Sequence, residues 1–198
     1  MSPSRIIFGS CNSQHQEQRL WPSIIARNAS AFIWGGDAVY ADSKRFGKEL
    51  AATPEIAAES YQTLLNNSGY QELIEQNKTI VGVWDDHDFG VNNGDRTYEH
   101  KQAAADLFVK FLQESNKNIQ ATHKKYSWPL MEQRAKKNKG VYSVVVFDFE
   151  REGDPLLTDE EAGIDPEVNE GEVKPLSNKS VAIFLLDVRY NKTPWIKG

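Results

Sequence analysis

The amino-acid sequence predicts an α/β fold, and three observations lead to this prediction. Short apolar runs with the character of buried strands alternate along the chain with segments of helical periodicity. The chain has 198 residues, which is enough for one domain with a core and too few for two large ones. Hydrophobic residues make up 39% of it, as is typical of globular proteins. We therefore expect one layered α/β domain over residues 1–198.

Three strands are predicted in the first half of the chain. Each is a short apolar run ended by a glycine or a polar turn, and the runs cover residues 5–8, 31–34 and 79–84. A short helix is expected between the first two strands, because Pro22 suits the first turn of a helix. The stretch 53–76 is predicted to be helical in two pieces that divide near residues 66–69.

The second half of the chain is predicted to contain a long helix and two more strands. The helix covers residues 97–115, and its apolar face carries Ala104, Leu107, Phe108, Phe111 and Leu112. The strands cover residues 140–149, which are rich in β-branched side chains, and residues 180–186. Residues 150–179 between them are acidic and poor in apolar side chains, so we interpret them as a surface insertion without chemistry.

Charge, hydropathy and cysteine content exclude several classes of protein. The formal net charge of −5 argues against a nucleic-acid binder, because such proteins usually carry a basic face. No apolar run reaches 18 residues, so no transmembrane helix is expected. The single cysteine, Cys11, excludes an internal disulfide framework.

The cellular compartment stays open, because two signals disagree. Five N-x-Ser/Thr sequons favour the secretory pathway, and they lie at Asn28, Asn66, Asn77, Asn178 and Asn191. A strand that begins at Arg5 leaves no room for a signal peptide, which favours the cytoplasm or a trimmed chain.

The densest cluster of chemically active side chains lies at residues 85–88, directly after the third predicted strand. The three carboxylates repel one another and raise one another's pKa. A cation bound beside them and the His87 imidazole would turn this repulsion into coordination. Polar side chains also follow the other predicted strands, at Cys11 and Asn12, at Asp37, Tyr40 and Asp42, and at Asp187 and Arg189. Taken alone, each of these groups could equally serve to cap a turn by a hydrogen bond to the backbone. Because parallel strands end at one edge, where ligands bind, the groups together predict a metal site with a catalytic histidine.

Four motifs carry a resemblance to a known family. They are FGSC at residues 8–11, WGGDAVYAD at 34–42, WDDHD at 84–88 and LLDVRY at 185–190. They resemble, in the same order, the motifs of PhoD-like (alkaline phosphatase D) metallophosphatases, which belong to the calcineurin-like metallophosphoesterase superfamily. The resemblance implies a layered αββα sandwich and a phosphatase or phosphodiesterase that hydrolyses phosphate esters by a metal-activated hydroxide.

The resemblance also implies roles for individual residues. Asp37 is expected to bridge two metal ions and Asp86 to bind one of them. His87 is expected to contact the phosphoryl oxygen and to protonate the leaving group, with Asp88 orienting its ring.

Three further residues match motif positions. Cys11 and Tyr40 occupy positions at which PhoD-like enzymes use a cysteine and a tyrosine to hold iron. Arg189 is expected either to clamp a phosphate oxygen or to form a structural salt bridge to Asp187 or Asp85.

The implied cofactor is a binuclear centre of Fe³⁺ with Ca²⁺ or another divalent cation, Mn²⁺, Mg²⁺ or Zn²⁺. Carboxylates suit hard divalent cations, whereas phenolate with thiolate favours a ferric ion. Two metals about 3.5–4 Å apart would hold the attacking hydroxide and the developing oxyanion together, as phosphoryl transfer requires. The expected partner is a small phosphate ester.

The chain departs from the family pattern in one respect. PhoD-like enzymes carry further metal-binding histidines in a C-terminal motif resembling Gly-Asp-x-His, and this sequence reaches Gly198 without that motif. His15, His100 and His123 do not replace them by position, although His15 follows the Cys11 turn. The chain is therefore expected to supply the N-terminal half of the sandwich, as a chain cut short, a truncated product or a degenerate relative.

Two alternatives to an enzyme stay open. One is a non-catalytic metal- or partner-binding module with a half-site and an exposed apolar sheet face, which a homo-oligomer would cover. The other is a structural α/β domain whose acidic residues cap turns. Molar mass in solution separates a dimeric module from a monomer, and a fold that survives chelation favours the structural domain.

Overall fold

The fold is mixed α/β in the computed structural model, which describes residues 5–45, 48–118, 129–151, 155–157, 162 and 177–195. Its elements follow in the order β1 (Ile6–Gly9), α1 (Trp21–Ile25), β2 (Ala31–Gly35), β3 (Ser43–Arg45), β4 (Lys48–Leu50), α2 (Pro54–Leu65), α3 (Ser68–Glu75), β5 (Thr79–Val83), α4 (Asp86–Phe89), α5 (Lys101–Ser115), α6 (Pro129–Lys136), β6 (Ser143–Asp148) and β7 (Ser180–Leu185).

Strands β1, β2 and β5 form a parallel sheet with β2 in the centre. Residues Ala31 to Trp34 of β2 are all buried, which explains why this strand is an unbroken apolar run rather than an alternating one. Each of the three strands lies within one residue of its predicted range, so these predictions are confirmed. All three strands end at the same edge of the sheet.

An aromatic cluster packs against one face of this sheet. The Trp34 ring contacts Trp21 edge-on, with 6.0 Å between ring centroids, and Tyr70 lies at the same distance. The Tyr70 hydroxyl accepts a hydrogen bond from Trp34 Nε1 and pairs with the Ser115 hydroxyl, so its polar atom is satisfied inside the core. Helices α1, α3 and α5 are thereby fixed to the sheet that carries the candidate site.

The predicted helices are present with shorter bounds. The stretch 53–76 divides at residues 66 and 67 as expected, and Thr53 and Asn67 cap the two helices with their side chains. Helix α5 begins at Lys101 rather than at residue 97, because Asp95 caps the Thr97 backbone and side chain in a preceding turn. Four side chains of its predicted apolar face are buried, and Leu107 is partly buried.

The last predicted strand does not join the parallel sheet among the described residues. Strand β7 pairs instead with β6 in a separate antiparallel sheet, with Ser143 opposite Leu185 and Asp148 opposite Ser180. Most of the predicted insertion at residues 150–179 lies outside the described residues. The short hairpin of β3 and β4 was not predicted.

Several large apolar side chains are exposed on β1, on β7 and directly after β7. Phe8 of β1 is 63% exposed and Phe184 of β7 is 72% exposed, and Leu186 and Val188 follow β7 in the same state. That a second copy of the chain covers these exposed side chains in a homo-oligomer remains a prediction. None of the helices in the described parts of the chain is long and apolar enough to cross a membrane.

Candidate metal centre

Three turns meet where the parallel strands end. The turn after β1 joins the turn after β2 through two backbone hydrogen bonds, in which Cys11 N donates to Gly36 O and Asn12 N donates to Asp37 O over 2.8 Å. Ala41 N also donates to His87 O over 3.3 Å, which links the turn after β2 to the segment after β5. The residues of the first three motifs are therefore brought together by the parallel sheet, as the sequence predicts.

Gly36 allows the turns after β2 and β5 to approach closely. Its φ of +104° lies in the left-handed region, and a Cβ atom at this position would lie 2.7 Å from the Asp85 Cβ. Asp37 follows with a φ of +52°, which is unusual for a residue with a side chain. This backbone conformation turns Asp37 toward the residues after β5.

Asp88 holds these turns from beneath and does not orient the His87 ring. Its fully buried carboxylate accepts hydrogen bonds from the backbone N–H groups of Asp37, Val39 and Asp85. Burial raises the pKa of Asp88 to about 7, although these N–H donors oppose the shift. The expectation that Asp88 orients the histidine was wrong, because its two oxygens serve the backbone of two neighbouring turns.

Asp42 makes the contact that was expected of Asp88. Its Oδ1 atom lies 2.6 Å from His87 Nδ1, and its Oδ2 atom accepts a hydrogen bond from Asn92 N over 2.8 Å. Burial lowers the pKa of His87, but the hydrogen bond and charge of Asp42, with Asp37 and Asp86, more than offset this and raise it above the ordinary value. Asp42 thereby fixes the ring and favours its protonated form.

Asp37, Asp86 and His87 form the cluster that can hold a cation. One ligand atom from each of the three lies within 4.8 Å of the other two. Burial raises the pKa of Asp37, with smaller contributions from Asp86 and Asp85, while His87 opposes the shift. The carboxylates of Asp37 and Asp86 are oxygen donors that suit divalent cations, so these two residues fit such an ion, whereas the protonated imidazole of His87 would lie beside it without binding it.

Asp86 is held in place by its other oxygen. Its Oδ2 atom accepts a hydrogen bond from Asn93 N over 2.7 Å and lies 3.5 Å from Arg189 Nη2. Its Oδ1 atom lies 3.9 Å from His87 Nε2. The oxygen that faces the cluster is thus left available for a cation.

Tyr40 and Cys11 lie beside this cluster. The Tyr40 ring stacks on His87 with 4.1 Å between centroids, and Cys11 Sγ lies 3.8 Å from Asp37 Oδ2. Burial and the negative charge of Asp37 raise the pKa of Tyr40 to about 12, and the neighbouring Cys11 adds to this shift. Only a nearby cation would favour the phenolate that a ligand role requires.

Arg189 forms the structural salt bridge that was one of its two expected roles. Its Nε atom lies 2.5 Å from Asp85 Oδ1, and its side chain is largely buried. The alternative partner, Asp187, accepts hydrogen bonds from the backbone N–H groups of Val141, Arg189 and Tyr190 instead. Although β7 lies outside the parallel sheet, this turn still delivers Arg189 to the cluster.

Among the described residues, His15 and His100 do not belong to the cluster of possible metal ligands. His15 is exposed, with Nε2 3.2 Å from Gln14 Nε2, and His100 pairs with Glu99 at 3.5 Å. His123 lies outside the described residues.

Sequence reasoning missed Gln14 and the role of Asp42. Gln14 clamps the Tyr40 backbone, because its Nε2 donates to Tyr40 O and its Oε1 accepts from Tyr40 N. No pattern in the sequence marks Gln14, whereas Asp42 stood out as an acid five residues after Asp37.

Comparison with models of protein families, with curated proteins and with solved structures finds no match.

Proposed function

We propose that this chain is a PhoD-like metallophosphatase domain that hydrolyses phosphate esters with the help of bound metal. The observation that carries the proposal is the meeting of Asp37, Asp86 and His87 within 4.8 Å, with Asp42 on the far nitrogen of the imidazole. A turn cap needs only one carboxylate, whereas this cluster brings two carboxylates from different strand ends to one histidine. The motif resemblance adds the layered αββα sandwich to the proposal.

Asp37 and Asp86 would hold the metal, with Tyr40 and Cys11 beside them as candidate ligands of a second, ferric ion. When bound, such cations supply charge neutralisation at the phosphoryl oxygens and a lower pKa for an attacking water. Arg189 supports this arrangement by pairing with Asp85 and Asp86, since it offsets part of the repulsion between the carboxylates.

His87 is the residue that would protonate the leaving group. Asp42 occupies Nδ1, so the proton on Nε2 points away from Asp42 and is available to an oxygen at the site. The carboxylates around the ring raise its pKa, which maintains the protonated form that a general acid needs. Tyr40 limits the motion of the ring by stacking on it.

The test combines metal content with hydrolysis. Purified protein is assayed on p-nitrophenyl phosphate and bis(p-nitrophenyl) phosphate after chelation and after return of Fe³⁺, Ca²⁺, Mn²⁺, Mg²⁺ or Zn²⁺. We expect Asp86→Ala to lose metal and activity together. His87→Ala should keep metal and lose about 10²–10⁴ in kcat, the usual contribution of a positioned acid.

Asp106→Asn is the matched control, because Asp106 is an exposed acid on α5. It should retain both metal and rate. Activity that survives chelation, or that is unchanged in Asp86→Ala, would contradict the proposal. Bound metal without hydrolysis of either ester would indicate the non-catalytic module instead.

A further inference from the structure

Gln14 binds both polar groups of the Tyr40 backbone with one side chain. Its Oε1 atom accepts a hydrogen bond from Tyr40 N over 2.9 Å, and its Nε2 atom donates to Tyr40 O over 3.0 Å. Only 6% of the residue is exposed. A side chain that makes both bonds must offer one acceptor and one donor, which an amide does and a carboxylate or an alkyl chain does not. We call this pair of hydrogen bonds the amide clamp.

The amide of Gln14 has one further contact, which is compatible with the clamp. Its Nε2 atom also lies 3.2 Å from Nε2 of His15, whose ring is exposed. A primary amide carries two N–H groups, so one can bind Tyr40 O while the other faces the imidazole. The contact with Tyr40 therefore does not depend on which way the exposed ring turns.

The amide clamp acts on a segment whose other residues are already attached to the site. Val39 N donates to Asp88 Oδ1 over 3.2 Å, and Ala41 N donates to His87 O over 3.3 Å. These bonds hold the residues on either side of Tyr40, and the clamp holds Tyr40 itself. A backbone group that loses its partner in a partly buried place is costly, so loss of the clamp favours a different backbone conformation at this one position.

The position of the Tyr40 ring determines the plane of the His87 imidazole. The two rings stack with 4.1 Å between centroids and 28° between their planes. Asp42 Oδ1, 2.6 Å from His87 Nδ1, anchors one edge of the imidazole but leaves its tilt free. The stack limits that tilt. The two contacts together therefore determine where His87 Nε2 points.

We propose that Gln14 is a positioning residue for His87 that acts through the backbone and the ring of Tyr40. This inference rests on the proposed hydrolysis, in which the oxygen of water bonds to phosphorus and the bond from phosphorus to the alcohol oxygen breaks. The alcohol oxygen takes the proton of His87 Nε2, and a proton of the water replaces it. A misdirected imidazole slows this proton transfer. Loss of the amide clamp should therefore impair protonation of the leaving group and not the binding of metal.

The kinetic test compares two monoesters whose leaving groups differ in basicity, phenyl phosphate and p-nitrophenyl phosphate. Phenolate is a much stronger base than p-nitrophenolate, so its departure depends more on the proton from His87. Gln14→Met keeps the length of the side chain and removes both amide atoms. We expect it to lower kcat/KM for phenyl phosphate about 10²-fold, the effect of displacing a reacting group by about 1 Å. The loss for p-nitrophenyl phosphate should be clearly smaller, and metal content should stay unchanged.

Gln18→Met is the matched control, because it makes the same chemical change in the same loop. The Gln18 amide donates to Ser13 O over 2.8 Å and thus also holds the loop through its backbone. This variant should leave the ratio of the two rates unchanged. An equal loss for both esters in Gln14→Met, or the same selective loss in Gln18→Met, would show that the amide of Gln14 only supports the loop and would overturn the proposal.

An NMR measurement on metal-free protein separates this inference from the proposed function. Protons above an aromatic face are shielded, so the Tyr40 ring should move the carbon-bound proton signals of the His87 ring, identified by their absence in His87→Ala. We expect Gln14→Met and Tyr40→Leu to reduce this shielding, and Tyr40→Phe and Gln18→Met to retain it. The double variant of Gln14→Met with Tyr40→Leu should lose no more than Tyr40→Leu alone, because the two residues act in series.

A second variant covers the case in which Gln14→Met does not fold. Gln14→Glu keeps the acceptor for Tyr40 N, but its carboxylate cannot donate to Tyr40 O, so it should show the same selective loss and reduced shielding. Unchanged His87 signals in either folded variant would overturn the proposal. A protein that hydrolyses neither ester overturns the proposed function, and the His87 signals then decide whether Gln14 still holds the ring.

Discussion

At the scale of single residues, the carboxylates around His87 have different partners and therefore different roles. Asp88 is fully buried and saturated by backbone N–H groups, so it serves the structure of the turns. Asp42 binds the imidazole nitrogen. Asp37 and Asp86 keep oxygens directed toward the cluster and are the residues that suit a cation. These acids share one chemistry, and their burial and hydrogen-bond partners distinguish them.

Asp42→Asn tests the role of the carboxylate on the imidazole. The variant keeps the shape of the side chain but removes its charge, so the pKa of His87 should fall and the ring should be held less firmly. We expect kcat to fall by up to roughly 10²–10⁴-fold, the contribution of a positioned acid, with metal content unchanged. NMR titration of the His87 ring, assigned with His87→Ala, measures the pKa directly.

Asp106→Asn again provides the comparison, since it makes the same chemical change on an exposed face of α5. An unchanged His87 pKa in Asp42→Asn would show that the 2.6 Å contact does not govern the ring.

The residues of the site were predictable from the sequence, but their division of labour was not. Cys11, Asp37, Tyr40, Asp86 and His87 lie together because they follow the ends of parallel strands, which is a property of the pattern. Asp42 makes the contact that was expected of Asp88, because the turn after β2, which contains the left-handed residues Gly36 and Asp37, brings backbone N–H groups onto Asp88 and places Asp42 beside the imidazole. Backbone turns of this kind are not encoded in a period of apolar residues.

At the scale of elements, the spacing between β2 and β5 depends on a glycine opposite a tryptophan. Gly82 pairs with Trp34, and a Cβ atom at Gly82 would lie 2.5 Å from the Trp34 Cβ and 2.8 Å from its carbonyl oxygen. The two strands carry the turns that meet at the site. Their spacing therefore affects both stability and the geometry of the cluster.

Gly82→Ala should destabilise the protein because the added methyl group has no space. We expect a loss of about 1–3 kcal/mol in the free energy of unfolding, the usual effect of overpacking a core. Gly35→Ala on β2 is the matched control, since its Cβ would lie 3.6 Å from the nearest atom, an ordinary contact. Urea denaturation of both variants measures the difference, and equal midpoints for the two would show that the sheet relaxes around the methyl group.

The elements were easier to predict than their pairing. Three parallel strands and the helices of the first half follow from apolar runs, caps and glycines in the sequence. The pairing of β7 with β6 did not follow, because an apolar run of six residues fits either a parallel or an antiparallel neighbour.

At the scale of the whole molecule, the candidate site concentrates negative charge on a chain whose net charge is already −5. Turns from three strand ends meet there, and hydrogen bonds between them connect the site to the sheet. A cation at the site would therefore act on several elements at once. Its binding energy should appear as stability of the whole fold, because the unfolded chain has no assembled ligand set.

Metal addition should raise the thermal midpoint of the protein. At a free metal concentration of about 100 times the dissociation constant, binding adds roughly 2.7 kcal/mol to the free energy of unfolding. For a chain of this size such a gain corresponds to a rise of about 5–10 °C. Differential scanning calorimetry after chelation, and then with increasing Ca²⁺ or Mn²⁺, measures the shift as a function of concentration.

The variants of the cluster decide whether that shift originates at the candidate site. Asp86→Asn should abolish it, because the carboxylate oxygen that faces Asp37 and His87 loses its charge. Asp106→Asn should leave it intact, since this exposed acid lies on α5 outside the cluster. A shift of equal size in Asp86→Asn would place the cation elsewhere on this acidic surface. The carboxylates after β2 and β5 would then be turn caps of a structural domain rather than metal ligands.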